Sequence, residues 1–110
     1  MLTEKDIVEI NKEFDKGVII NKSSLDFTIK TVESTKDWVT QAAYLTRAIA
    51  LDHIFEEGNK RTALAVLIAY FKANKKAYDL YGVEKVIITM ITKNISSIEN
   101  IRRMIKNVVR

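Results

Sequence analysis

No proline interrupts this chain of 110 residues, and glycine occurs only at positions 17, 58 and 82. Proline and glycine are the strongest local breakers of a helix. A chain this poor in them, with apolar residues recurring at helical spacing along most of its length, is predicted to fold as an all-α domain. There is room for one modest core, so residues 1–110 are expected to form a single domain.

Six helical segments are predicted. The first spans Thr3–Phe14, with Thr3 and Asp6 forming an N-terminal box and Ile7, Ile10 and Phe14 facing inward. Asp15–Lys22 is a loop around Gly17, in which Val18-Ile19-Ile20 forms a short extended piece. The second helix covers Ser24–Glu33 and buries Leu25, Ile29 and Val32. The third covers Thr35–His53, with Trp38, Ala42, Leu45 and Ile49 on a wide apolar face and many alanines for close approach. The fourth covers Asn59–Asn74. Its body, Ala63–Phe71, is wholly apolar and is expected to be buried all round at the centre of a compact bundle. After a Tyr78–Tyr81 connector, the fifth carries Val83, Val86, Ile87, Met90 and Ile91. The sixth opens with a Ser96…Glu99 box and buries Ile98, Ile101, Ile105 and Val108.

Composition removes several functions. There is no cysteine and only one histidine, which excludes disulfides, thiol nucleophiles and cysteine-ligated metals and makes a structural zinc improbable. Met1–Asp6 is polar and acid-containing, unlike a signal peptide. The longest apolar run is too short to span a bilayer. A cytoplasmic protein without membrane partners is expected. The net charge of +4 is spread over the chain. No groove-reading module is recognisable, so nucleic acid is not an expected partner.

One stretch departs from ordinary helix chemistry: His53-Ile-Phe-Glu-Glu-Gly-Asn-Lys-Arg61. A helix N-terminus carries partial positive charge and is destabilised by cations, by roughly 0.3–1 kcal/mol each. Lys60 and Arg61 stand where an acid would be favoured. A bound anion removes that conflict, since unpaired N–H groups and two cations then surround it. Gly58 lets the backbone approach a phosphate without a Cβ in the way. Glu57 can hold a magnesium ion that bridges phosphate oxygens. Lys60 can act as a point charge and Arg61 as a bidentate fork. His53 can take a proton from an incoming hydroxyl. Each residue also has a structural explanation: His53 as a helix C-cap, Phe55 as a plug, Glu56-Glu57 as favourable charges near the next helix, Lys60 and Arg61 as a solvated face. Their joint order at one helix mouth favours a site.

The pattern His-x-Phe-x-Glu-Gly-Asn-Lys-Arg closely resembles the signature of the Fic/Doc superfamily (filamentation induced by cAMP; death on curing). That family's fold is a small helical bundle in which the motif joins two central helices. Three departures from the Fic form point to the Doc branch. Ile54 replaces a proline, Lys60 replaces a second glycine, and Leu64 stands where the Fic form has a second arginine. In Fic enzymes the α-phosphate occupies the anion hole, and AMP passes to a hydroxyl side chain. In Doc-like proteins the nucleotide lies reversed, and the γ-phosphate is transferred. The Doc target is a threonine of elongation factor Tu. The resemblance therefore implies a protein kinase-like toxin, with ATP as substrate and Mg2+ as cofactor. His53 is the catalytic base, Gly58, Asn59, Lys60 and Arg61 bind nucleotide phosphates, and Glu57 is the metal ligand. A Fic-type AMP transferase and a non-catalytic Fic-fold binding module are the alternatives.

The inhibitory helix of many Fic proteins, Ser/Thr-x-x-x-Glu-Gly/Asn, has its nearest match at Glu99-Asn100, but position 95 is isoleucine. A separate antitoxin protein is then the implied partner, beside the translation factor that is the substrate. Family members often carry a β-hairpin flap before the motif helix. Ser34–Lys36 is too short for one, so target docking falls to the Asp15–Lys22 loop or is reduced.

Overall fold

The computed structural model describes residues 2–110; Met1, at the start of the polar segment noted above, lies outside them. The described residues form six helices and no named strand: α1 Glu4–Asn11, α2 Lys22–Glu33, α3 Trp38–Leu51, α4 Asn59–Ala73, α5 Leu80–Thr92 and α6 Ile98–Asn107. The expected all-α bundle is what forms.

The helix starts follow local side-chain chemistry. Thr3 and Asp6 make the reciprocal box at α1. Asn21, Asp37, Asp79 and Ser97 each accept a hydrogen bond from a backbone N–H in the first turn of α2, α3, α5 and α6. These bonds satisfy donors that a helix start leaves unpaired. Asp37 moves the start of α3 from the predicted Thr35 to Trp38. At α6 the cap is Ser97 rather than Ser96, with Asn100 N–H donating to its hydroxyl.

The helix at the centre is α3, not the predicted α4. It packs against α2, α4, α5 and α6, whereas α4 packs against α1, α3 and α5. The small buried side chains Ala42, Ala43, Ala48 and Ala50 let several neighbours approach α3 at once. α4 is not buried all round: Leu64, Ala65, Ile68 and Ala69 are partly exposed. Wholly apolar composition marks a greasy helix without marking which helix the others surround. Trp38 of α3 meets the edge of Phe71 of α4 with ring centroids 5.3 Å apart.

α1 stops one turn short of the expected Phe14, whose side chain is 37% exposed rather than inward. The chain turns because the side chain of Asn11 accepts from Gly17 N–H at 2.8 Å and folds residues 12–17 back into a loop. The predicted extended piece forms there: Ile19 makes an isolated antiparallel bridge with Phe55. Among the described residues, no helix is long and apolar enough to cross a membrane.

Candidate functional site

The turn between α3 and α4 carries the motif, and several elements hold it in place. α3 ends at Asp52, and His53 follows in the left-handed region with φ 51°. Histidine tolerates this conformation better than most residues, and it lets the chain leave the helix axis at once. The predicted inclusion of His53 within the helix is therefore corrected. The end of α3 is tied to the start of α2. Asn21 caps α2 with its side-chain oxygen and donates from Nδ2 to the Asp52 carbonyl at 2.9 Å. Ser24 donates its hydroxyl proton to the Asp52 carboxylate at 2.7 Å. His53 itself is exposed.

Ile54 and Phe55 are wholly buried, so both pin the turn to the core, as expected of Phe55. Burying such side chains is worth roughly 1.5–3 kcal/mol each. Their backbone is then clamped from two sides. The Ile54 carbonyl accepts from Ile20 N–H at 2.8 Å, and Glu56 N–H donates to the Val18 carbonyl at 2.9 Å. The side chain of Asn59 reaches back, accepting from Phe55 N–H at 2.9 Å and donating to the Phe55 carbonyl at 2.8 Å. Asn59, read from the sequence as a phosphate ligand, thus commits its side chain to the turn. What it offers an anion is its backbone N–H.

Gly58 precedes α4 with φ 77°, where an L side chain is strained, and makes no side-chain cap. An added Cβ would also lie 3.2 Å from Asn11 Nδ2. The first helical bond runs from Thr62 N–H to the Gly58 carbonyl. The N–H groups of Asn59, Lys60 and Arg61 make no hydrogen bond among the described residues. Among the described residues this helix alone begins without a capping side chain; its first turn, like those of α2, α3 and α5, holds no acid. Lys60 and Arg61 are exposed and form no salt bridge among the described residues. Together with Leu64, and with Glu84 and Ile87 of α5, they line a pocket of about 200 Å³. Three unpaired donors and two unpaired cations at one helix mouth can receive a polyanion.

Over residues 13–71, more than half of the 110, the chain matches the model of the Fic/DOC family. The chain belongs to the Fic/DOC family. Members of this family are typically transferases. The matched region runs from the loop after α1 through the motif to the end of α4's apolar body, so it contains His53 and Glu57–Arg61, while Asn11, Glu84 and Ile87 lie outside it. Among curated proteins none matches the chain.

Two residues near the family motif escaped the sequence reading. Asn11 is wholly buried and bonds to the turn. The available signal was a polar residue within the Ile7/Ile10/Phe14 stripe of the predicted first helix. Glu84 brings a carboxylate to the pocket of Lys60 and Arg61, and nothing in the local sequence of α5 marks it. For a metal, Glu57 is exposed, and the described residues hold no group of three histidine, cysteine or carboxylate side chains that could bind one. This donor set suits a magnesium ion that arrives on a triphosphate, since magnesium commonly takes one or two carboxylates, phosphate oxygens and waters.

Proposed function

We propose that this Fic/DOC protein transfers the γ-phosphoryl group of ATP to a hydroxyl side chain of a translation factor of the elongation factor Tu type, as the toxin of a toxin–antitoxin pair. The observation that carries the reading is Lys60 in the uncapped first turn of α4, exposed and without a salt bridge among the described residues. A glycine there would leave room for an α-phosphate with the nucleoside beside it. Lysine fills that room and adds a charge suited to the terminal phosphate.

In the reaction, the acceptor oxygen attacks the γ-phosphorus and the bond from that phosphorus to the β–γ bridging oxygen breaks. The acceptor proton passes to His53, and ADP leaves. The N–H groups of Asn59, Lys60 and Arg61, with the two cations, stabilise charge on the transferring group. Glu57 would hold the Mg2+, which neutralises phosphate charge when bound. Val18 and Ile20 are exposed beside the turn, and the loop that carries them is the segment available to align an acceptor. The antitoxin part of the reading rests on position 95, where isoleucine stands in place of the serine or threonine of the inhibitory pattern that Glu99-Asn100 otherwise matches.

The test is incubation with cell extract and ATP labelled at either the α- or the γ-phosphorus. Label entering an acceptor protein only from the γ position supports the kinase reaction. Label from the α position overturns it in favour of AMP transfer, and label from neither favours a non-catalytic binding module.

A further inference from the structure

The two segments that must cooperate at this site are far apart in sequence: the loop 17–20 and the turn 54–58. Their backbone connection is a short ladder, with Ile20 N–H to the Ile54 carbonyl and Glu56 N–H to the Val18 carbonyl, continued by Asn21 N–H to the same Ile54 carbonyl at 3.2 Å. A ladder of this length is marginal when left to itself. Beneath it lies Asn11, with no exposed surface. Its Nδ2 donates to the Glu57 carbonyl at 3.0 Å and to Thr62 Oγ1 at 3.0 Å, while its Oδ1 accepts from Gly17 N–H at 2.8 Å. The amide can sit only one way round. Exchanging its ends would set N–H against Gly17 N–H and oxygen against the Glu57 carbonyl.

We propose that Asn11 is the positioning residue of this site, a single buried amide that locks the acceptor-facing loop 17–20 to the phosphate-binding turn 54–58. The inference rests on the functional reading above. Asn11 touches no substrate. It holds the Glu57–Gly58 peptide, and with it the mouth of α4. Its other end holds Gly17, where the loop begins at φ 74°. Both segments therefore share Asn11 as an anchor, beside the ladder and the buried Ile54 and Phe55, and losing it loosens both. Buried polar networks of this kind fix relative position because every member is satisfied only in one arrangement.

The experiment compares the full chain with Asn11→Leu, which keeps the branching of the side chain and removes every hydrogen bond. Amide hydrogen exchange reports Gly17, Ile20, Phe55 and Glu56, whose N–H groups are all bonded in this region. The expected result is that these amides exchange faster together, by about tenfold or more, while α3 and α5 keep their protection. Transfer of γ-label into extract protein should fall by about 10²-fold in kcat with little change in KM for ATP, since the parts remain but are misplaced. Faster exchange spread evenly over all helices, or confined to Gly17, overturns the proposal. So does an unchanged kcat. If the wild-type chain transfers no label, the kinase reading fails, while the exchange pattern still decides the coupling. Should Asn11→Leu not fold, Asn11→Asp keeps an acceptor for Gly17 N–H and loses both donors. It should expose Phe55 and Glu56 to exchange with Gly17 still protected, and wild-type exchange at all of them overturns the proposal.

Discussion

Consecutive residues at the mouth of α4 should respond oppositely to truncation, with Asn59 as the structural member. Asn59→Ala removes two hydrogen bonds to Phe55, one to its N–H and one to its carbonyl. Each is worth about 0.5–1.5 kcal/mol net, and a donor stranded without water costs about 1–3 kcal/mol. The better helix propensity of alanine returns about 0.5 kcal/mol. The expected net loss is about 2 kcal/mol. At an unfolding entropy of about 2.1 cal/mol/K per residue, a domain of 110 residues loses roughly 4 °C of Tm per kcal/mol. Asn59→Ala should therefore melt about 8 °C lower. Lys60→Ala and Arg61→Ala each remove a cation from a positive helix end. They should melt at the wild-type temperature or up to a few degrees higher, from a gain of about 0.3–1 kcal/mol. Thermal unfolding of the three single variants, followed by circular dichroism, makes the comparison. Asn59→Ala within 2 °C of wild type, on the scale of about 4 °C per kcal/mol, would refute the clamp. Equal losses for all three would show that the cations are structural and would remove the basis of the anion site.

Other consequences can be checked separately. His53→Ala should keep the fold, with at most a Tm loss of a few degrees from alanine at φ 51°, because the side chain is exposed beyond the end of α3, yet lower the transfer rate by about 10²–10⁴-fold; undiminished growth arrest by a well-expressed variant would contradict the base assignment. Glu57→Ala should raise the magnesium concentration needed for half-maximal transfer while leaving Tm unchanged, and an identical magnesium titration would count against its role as a ligand. Hydrogen bonds from Thr40, assisted by Arg102, hold the Asp37 carboxyl below its usual value of 3.8. The stability it contributes is present above that value and is lost as pH falls through the lower folded pKa. Asp37→Asn should accordingly flatten the acid limb of a Tm-versus-pH curve below about pH 4, and a parallel limb would show that the cap does not contribute.

The residues of the motif are local in sequence, and local chemistry is legible there. Lysine and arginine at a helix start, a glycine before them and a histidine after the previous helix could be read as one unit without a fold. The helices themselves were legible for the same reason. Apolar spacing and capping residues act over a turn or two, and a misplaced cap such as Ser96 for Ser97 arose where two adjacent polar residues could each cap one helix.

Tertiary structure decided what lies beyond that range. Periodicity shows that a face is buried but not what it is buried against, so the central place of α3 followed only from its four packing partners. The role of Asn59 depended on a turn that brings its amide back to Phe55. Asn11 stands 46 residues before the Glu57 carbonyl it holds. A hydrogen bond across that separation exists only once α1 has packed on α4. A buried polar side chain is tolerated there because its partners, supplied by distant parts of the chain, are all in place. The chemical groups of the site are thus written in nine consecutive residues, whereas their relative positions are set by contacts that no local pattern can encode.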